Sequence, residues 1–269
     1  MITLKKVNMR KKLSLLLTSI ALVALMFSCQ KQEKVSQDSI SNDVLAAIGQ
    51  AGFATTGVVK DDDGYIVEGD IFLSSSMLAS KPGWRTMTIA QTEQYHTTNT
   101  VAGTRTIKVS ISNKLPSSYV AALDEALARY NAENLVLTFT RVSSGADISM
   151  VSGNGSYLAS AGFPTSAGDP YNQVKVNARA IGTQPQSTVA SIMAHELGHC
   201  IGYRHTDYMD RSFSCGGSAT NEGASTVGAI LIPGTPSGPD SGSWMLSCIG
   251  SGQNRPFNNN DKTALNYLY

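Results

Sequence analysis

The chain has 269 residues, room for one sizeable domain with an appendage, and 42% of them are hydrophobic against 15% charged. A formal net charge of +1 argues against a nucleic-acid partner and against steering toward a membrane surface. Twenty-four glycines, beside many Ser, Thr and Asn, point to a loop-rich domain and away from a helical bundle.

Residues 1–28 read as an export signal. Lys5, Lys6, Arg10, Lys11 and Lys12 precede an apolar stretch from Leu13 to Phe27 that is broken only by Ser14, Thr18 and Ser19. The stretch is too short to span a bilayer comfortably and fits a signal-peptide core, with Met9 as an alternative start. Ser28-Cys29 resembles the end of a bacterial lipobox, with Met26 where Leu is usual. Cys29 is therefore the expected lipidation site, and the expected location is the bacterial outer membrane or cell surface. Soluble secretion and an uncleaved anchor are the alternatives. Residues 29–42 are polar, carry no apolar period and read as a tether.

Residues 43–100 form a distinct segment ahead of the main domain, residues 101–269. Val44 to Ile48 predicts a short helix, and Tyr65 to Leu73 a strand with a polar break. Asp61-Asp62-Asp63-Gly64 resembles a calcium loop, but Val59 stands where an EF-hand needs its first carboxylate, so a solvated acidic turn is expected. Arg105 to Ile111 alternates as a strand, closed by Leu115-Pro116. Ser117-Ser118 then cap a helix to about Asn131, with Val120, Leu123, Leu127 and Tyr130 at helical spacing. Leu135 to Val142 and Asp147 to Val151 follow as strands, Gly153 to Asn172 as a loop, and Gln173 to Ala178 as another strand. Ser187 or Thr188 opens a second long helix. Beyond Gly202 regular structure becomes sparse until a short final helix over Asn258 to Tyr269, with Asn260 or Asp261 at its start.

The second long helix carries the most informative residues. Three of the four histidines fall within His195-Glu196-Leu197-Gly198-His199-Cys200-Ile201-Gly202-Tyr203-Arg204-His205, the pattern H-E-x-x-H-x-x-G-x-x-H. On a helix, His195 and His199 leave the same face and can grip one ion. Gly202 can take a backbone turn closed to other residues, ending the helix and bringing His205 round as third ligand. Glu196 sits one step from His195, within reach of a water on that ion. Three neutral imidazoles and an open position describe a catalytic Zn2+ site, since a structural one is normally filled by four protein ligands. Cys200 points about 100° away from His199 on the helix and is not expected to bind the ion.

With Cys29 acylated, Cys200, Cys215 and Cys248 remain, enough for one bridge and one free thiol in an oxidising compartment. The pairing stays open; Cys215–Cys248 is preferred because it would staple the loop after the metal-binding helix to the segment around Met245, while Cys200 can be a small buried residue.

Strand, helix, strands, metal-binding helix, irregular half and closing helix together resemble a metzincin catalytic domain. That implies an α+β fold with a twisted mixed sheet, two long helices and an irregular C-terminal half. Ser243-Trp244-Met245-Leu246-Ser247 looks like the Met-turn of that signature. The histidine motif and the run Ile201 to Asp207 further resemble the bacterial dual-action HEIGH metallopeptidases, relatives of astacins, with Leu197 in place of the Ile. Arg211 to Gly217, Asn221-Glu222-Gly223 and Ala264 to Tyr269 match as well, so the resemblance covers roughly residues 60–269. It implies a zinc metalloendopeptidase acting on protein or peptide substrates, with Glu196 as general base and Met245 as the floor beneath the ligands.

Two further implications concern control. Astacins carry a switchable tyrosine ligand two residues after that Met; Ser247 stands there, which puts such a switch in doubt. Astacin-type propeptides carry an aromatic-x-Gly-Asp motif whose Asp fills the open site of the zinc. Val67-Glu68-Gly69-Asp70 resembles it with Val for the aromatic residue, which makes Asp70 the candidate latency ligand and residues 43–100 propeptide-like, cut between about residues 85 and 104. A strand-ending Gly-Asp turn is the plain alternative. An inactive metzincin-like surface binding protein would be expected to lose Glu196 or a ligand first, and all are intact. A narrow-specificity processing protease or toxin would share every motif. Nothing in the sequence specifies the oligomeric state.

Overall fold

A computed structural model describes residues 40–79, 94–223, 227–236 and 238–269. The export signal, Cys29 and most of the tether lie outside the described residues, as do residues 80–93, which include much of the expected cut window. Residues 40–269 form one compact unit.

The chain enters through α1 (Asn42–Gln50), started by Ser41, whose hydroxyl accepts from the Val44 amide. A meander follows: β1 (Val59–Asp61), β2 (Gly64–Val67) and β3 (Ile71–Ser74), all antiparallel. The single strand expected over Tyr65 to Leu73 is thus a hairpin. Its polar break, Glu68-Gly69-Asp70, reverses the chain because Glu68 (φ 55) and Gly69 (φ 94) both adopt left-handed backbone, which alternation in sequence does not report. The acidic turn is only half solvated. Asp62 is exposed, while Asp61 is covered by Lys175, which pairs with both at 2.6 and 2.8 Å.

After α2 (Ser75–Ala79) and β4 (Tyr95–His96) comes β5 (Arg105–Ile111), which buries Ile107 and Val109 completely. Next is α3 (Ser118–Asn131). Ser117 takes helical angles and makes no side-chain cap bond, contrary to the expected cap; the Tyr119 and Val120 amides bond the Pro116 and Ser117 carbonyls instead. Then come β6 (Leu137–Arg141), β7 (Ile148–Ser152), β8 (Ala159–Ala161) and β9 (Gln173–Val176). β8 lies inside the stretch expected as loop. It is only three small residues between glycine-rich flanks, too short to show a period. A one-turn α4 (Ala178–Ile181), capped by Asn177, precedes α5 (Gln186–Ile201), which begins directly after Pro185. The irregular half holds α6 (Ser212–Cys215), β10 (Ile230–Leu231) paired with β4, and α7 (Asn259–Leu268).

The main sheet runs β1-β2-β3-β8-β9-β7-β5-β6. β9, β7, β5 and β6 are parallel neighbours, β8 is antiparallel to β9, and β3 is parallel to β8. Both α3 and α5 pack into one core with this sheet, burying Leu123, Ile107, Val174, Ala194 and Leu197. The architecture is α+β, with a mixed sheet and two long helices. The N-terminal meander extends the same sheet, with Ile71 opposite Ala161 and the Ala161 amide bonding the Asp70 carbonyl at 3.0 Å. Behind it sits a smaller cluster of Ile48, Phe53, Val67, Ile71 and Leu73.

Two ties order the irregular half. Cys215 and Cys248 form a disulfide across 33 residues. Asp261 caps α7 through the Asn258 amide, accepts from the Trp244 amide at 3.2 Å and from Gln94 Nε2 at 2.5 Å, and is fully buried. Burial pushes its carboxyl up from an ordinary 3.8 to about 6, against those donors. A carboxyl raised by folding stabilises the fold while protonated, so this contribution is complete below about pH 4 and lost as pH rises through 6. The span is worth about 3 kcal/mol. Asp261→Asn keeps an acceptor for the two amides and should remove the dependence. Unfolding midpoints from pH 4 to 7 should show the wild type losing ground to the variant; parallel curves would contradict the assignment.

Candidate metal centre

α5 is buried on every side from Thr188 to Ile201, so its two histidines lie in the core. His195 and His199 are one turn apart, with ring centroids 4.7 Å from each other. Gly202 ends the helix at φ 113, and a Cβ there would meet the Asn99 carbonyl at 3.0 Å. Glycine is needed for both the turn and the close approach. Three residues later His205 comes back to the same point.

Each imidazole has one nitrogen fixed. His195 Nδ1 bonds the Trp244 carbonyl at 2.9 Å, His199 Nδ1 the Tyr203 carbonyl at 2.8 Å, and His205 Nδ1 both oxygens of Glu222 at 2.9 and 3.1 Å. A carbonyl only accepts, so Nδ1 of His195 and of His199 carries the proton and Nε2 keeps its lone pair. The three Nε2 atoms converge. Those of His199 and His205 are 3.2 Å apart. Asp70 Oδ2 lies 3.2 Å from His205 Nε2 and 3.4 Å from His195 Nε2. His195 Nε2, Asp70 Oδ1 and Glu196 Oε2 are buried without a hydrogen-bond partner. Orphaned polar atoms cost roughly 1–3 kcal/mol each, and one cation among the converging donors satisfies the ligand atoms. Three imidazole nitrogens and one carboxylate oxygen, all within 4.8 Å of one another, fit tetrahedral Zn2+.

The electrostatics set His199 and His205 apart. Burial, then the charges of His195 and His205, holds His199 well below the ordinary histidine range, the neutral form a ligand needs. Burial opposes charge on His205 too, but Asp70 and Glu222 outweigh it and raise its pKa. Burial likewise opposes charge on Asp70, yet His205 and the neighbouring imidazoles draw its pKa well down. Burial, and after it the Asp70 charge, lifts Glu196 well above the usual carboxylate range.

Met245 lies under the helix. A Cβ on Gly198 would meet its sulfur at 2.5 Å, so the missing side chain at 198 gives Met245 its place. The Met245 carbonyl accepts from the Thr206 amide, and Trp244 Nε1 donates to Tyr130, whose hydroxyl donates to Ala194 O. Ser247 is tied to Asp207 at 2.8 Å and to Glu222 at 3.3 Å. Cys200 is buried and free, with its thiol pushed up by burial.

Glu222 is the residue whose role the sequence did not disclose. Besides His205 it holds Arg211 Nε at 3.0 Å, and it faces Arg204, which pairs with Glu68 at 3.2 Å. Only its neighbours in the Asn221-Glu222-Gly223 match hinted at it; a ligand's partner 17 residues away in a loop has no spacing rule. Glu68, His205 and Glu222 also cluster closely, but Arg204 already supplies the cation there.

The family described as dual-action HEIGH metallo-peptidase matches residues 66–269. No curated protein matches. Among solved structures, one of myroilysin matches at 17% identity over 40% of this chain and 47% of that chain, with a TM-score of 0.32. The chain thus spans about half of that structure. A second, also of myroilysin, matches at 13% identity over 64% and 82%, TM-score 0.41. High choriolytic enzyme 1, a hatching enzyme zinc-protease from Oryzias latipes (medaka fish), matches at 18% identity over 61% and 88%, TM-score 0.34.

Carboxylates that hold a metal-binding histidine typically contribute about 10–100-fold to affinity. Glu222→Ala should weaken zinc binding by that factor in a chelator competition, and Glu222→Gln, which still accepts from Nδ1, by less. Unchanged affinity in a folded Glu222→Ala protein would contradict the role.

Proposed function

The chain belongs to the dual-action HEIGH metallopeptidase family, and we propose that it is made as a latent precursor of a zinc endopeptidase that cleaves extracellular proteins with Glu196 as general base. One observation carries the reading: three buried imidazoles aim their Nε2 atoms at one point, and Glu196, the next residue after His195, lies beside it with Oε2 unpartnered. His195, His199 and His205 would hold a zinc ion, which when bound would lower the pKa of a water toward ~7 and polarise a carbonyl. Glu196 takes the proton of the attacking water on its carboxylate and returns it to the leaving nitrogen. Met245 supports the ligands from below without chemistry.

Latency rests on Asp70. Its carboxylate stands where substrate and water must enter, and its backbone bonds Ala161 of β8. An extended substrate would pair with β8 through backbone bonds, which β3 now makes. Tethering through the same chain keeps Asp70 at high effective concentration. Residues 43–100 are read as the propeptide and 101–269 as the catalytic domain, with Gly69 bringing the backbone close beneath Arg211. The export signal and Cys29 support a lipid-anchored protein at the cell surface, where extracellular proteins are within reach.

Casein hydrolysis and metal content measured together test the site. The wild type should hold about one zinc per chain, and Glu196→Ala should keep it while losing ~10²–10⁴-fold in rate or more. Asp70→Ala should raise the activity of the uncut chain. Retained activity in the first variant would remove Glu196 from the chemistry, and no gain in the second would remove latency. Separately, labelled fatty acid should mark the wild type and not Cys29→Ser; label on both would place the anchor elsewhere.

A further inference from the structure

Beside the metal centre a cavity of about 280 Å3 runs from His195 and Glu196 to Arg255. Much of its lining is apolar, including Leu158, Ile192, Leu246 and Ile249. Among its lining residues the carboxylates, Asp70 and Glu196, both belong to the metal end, and the cations are Arg211 and Arg255. The two arginines differ in one respect. Arg211 has its charge answered by Glu222 at 3.0 Å. Arg255 bonds only neutral oxygens, the Cys248 carbonyl at 2.7 Å and Gln253 Oε1 at 3.2 Å, and among the described residues no carboxylate pairs with it within 4.0 Å; Asp207 and Asp261 act on its charge only from farther away. A half-buried guanidinium with no carboxylate in contact can still take one as a charge-assisted partner.

The backbone of Arg255 is also pinned. Its amide bonds Ser191 Oγ of α5 at 2.9 Å, and its carbonyl accepts from Arg129 of α3 at 3.2 Å. The charge is therefore carried on fixed supports, as a recognition group should be. Which substrate residue reaches it follows from Glu196. That carboxylate must hand its proton to the leaving nitrogen, so the residue bearing that nitrogen lies on the Glu196 side and projects its side chain into this cavity.

We infer that the cavity is the pocket for the substrate residue that follows the scissile bond, and that Arg255 makes it select an acidic side chain, glutamate above all. The inference rests on the peptidase reading above. The apolar walls suit the methylene stem of a glutamate, and its carboxylate forms the charge-assisted pair that Arg255 lacks. A lysine there would meet the like charge of Arg255.

The test uses the zinc-loaded full chain carrying Asp70→Ala and quenched peptides identical except for Glu, Gln, Leu or Lys after the scissile bond. Glu should exceed Gln by about tenfold in kcat/KM, as expected for one charged hydrogen bond, with Lys the poorest. Arg255→Lys should keep the preference, Arg255→Gln should bring Glu and Gln level, and Arg255→Glu should favour Lys. The same order should appear in binding of these peptides to the zinc-loaded chain with Glu196→Ala added, a readout independent of turnover. Cleavage without preference for Glu, or a preference that survives Arg255→Gln, overturns the inference and leaves the peptidase reading intact. No cleavage of any peptide by the zinc-loaded chain overturns both.

Discussion

An imidazole can sit in a protein core only if one of its nitrogens finds an acceptor and the other a donor or a metal. Three of them sit here with Nδ1 answered and Nε2 turned toward one point, on or just beyond a helix buried from Thr188 to Ile201. That requirement shapes everything around α5. The Trp244 carbonyl must come up under His195, which requires the turn at Met245 to press against a helix position with no side chain, Gly198. The Tyr203 carbonyl must face back to His199, which requires the left-handed turn at Gly202. Asp261 holds the Trp244 amide in place from the start of the last helix. Residues scattered over 67 positions of sequence thus serve one end, which is the direction of three lone pairs.

The charges beyond the histidines follow the same logic one step out. Glu222 gives His205 its acceptor, and Arg204 and Arg211 stand against it in a place water does not reach. Breaking such a buried pair by removing one partner typically costs about 3–5 kcal/mol, far more than an exposed pair. The N-terminal meander reaches this buried ground through a single turn. Glu68 meets Arg204 on one side and Asp70 meets the histidines on the other, with Gly69 between them because any side chain there would strike the Arg211 guanidinium at 2.8 Å. Three consecutive residues therefore dock the segment with two carboxyl groups, and both must be desolvated together.

The histidine motif was legible because its geometry is local: helical spacing of four and a glycine that permits one backbone turn. β5 was legible to the residue, since half-buried alternation marks both of its ends. α3 and α7 were legible to within a residue or two, but their caps were not: Asn258 caps α7 through a box with Asp261, and Ser117 caps nothing. β8 and the β2–β3 turn were hidden for a different reason. A three-residue strand has no period to read, and a positive φ at Glu68 is imposed from outside by its partners, Arg204 and the Ala54 amide. Glu222 and Arg255 were invisible as site residues because their meaning depends on what the folded chain places opposite them.

The bridge between Cys215 and Cys248 gives the chain a dependence on its surroundings. Closing a loop of this span removes unfolded-state freedom equivalent to about 3–4 kcal/mol on the chain-entropy account. Within that loop lie Glu222 and Met245, and Cys248 itself lines the cavity beside the histidines. In a reducing cytosol the two sulfurs stay apart as thiols, and the irregular half forfeits this restraint. The ordering of the cleft is thereby matched to an oxidising environment, where the bridge persists.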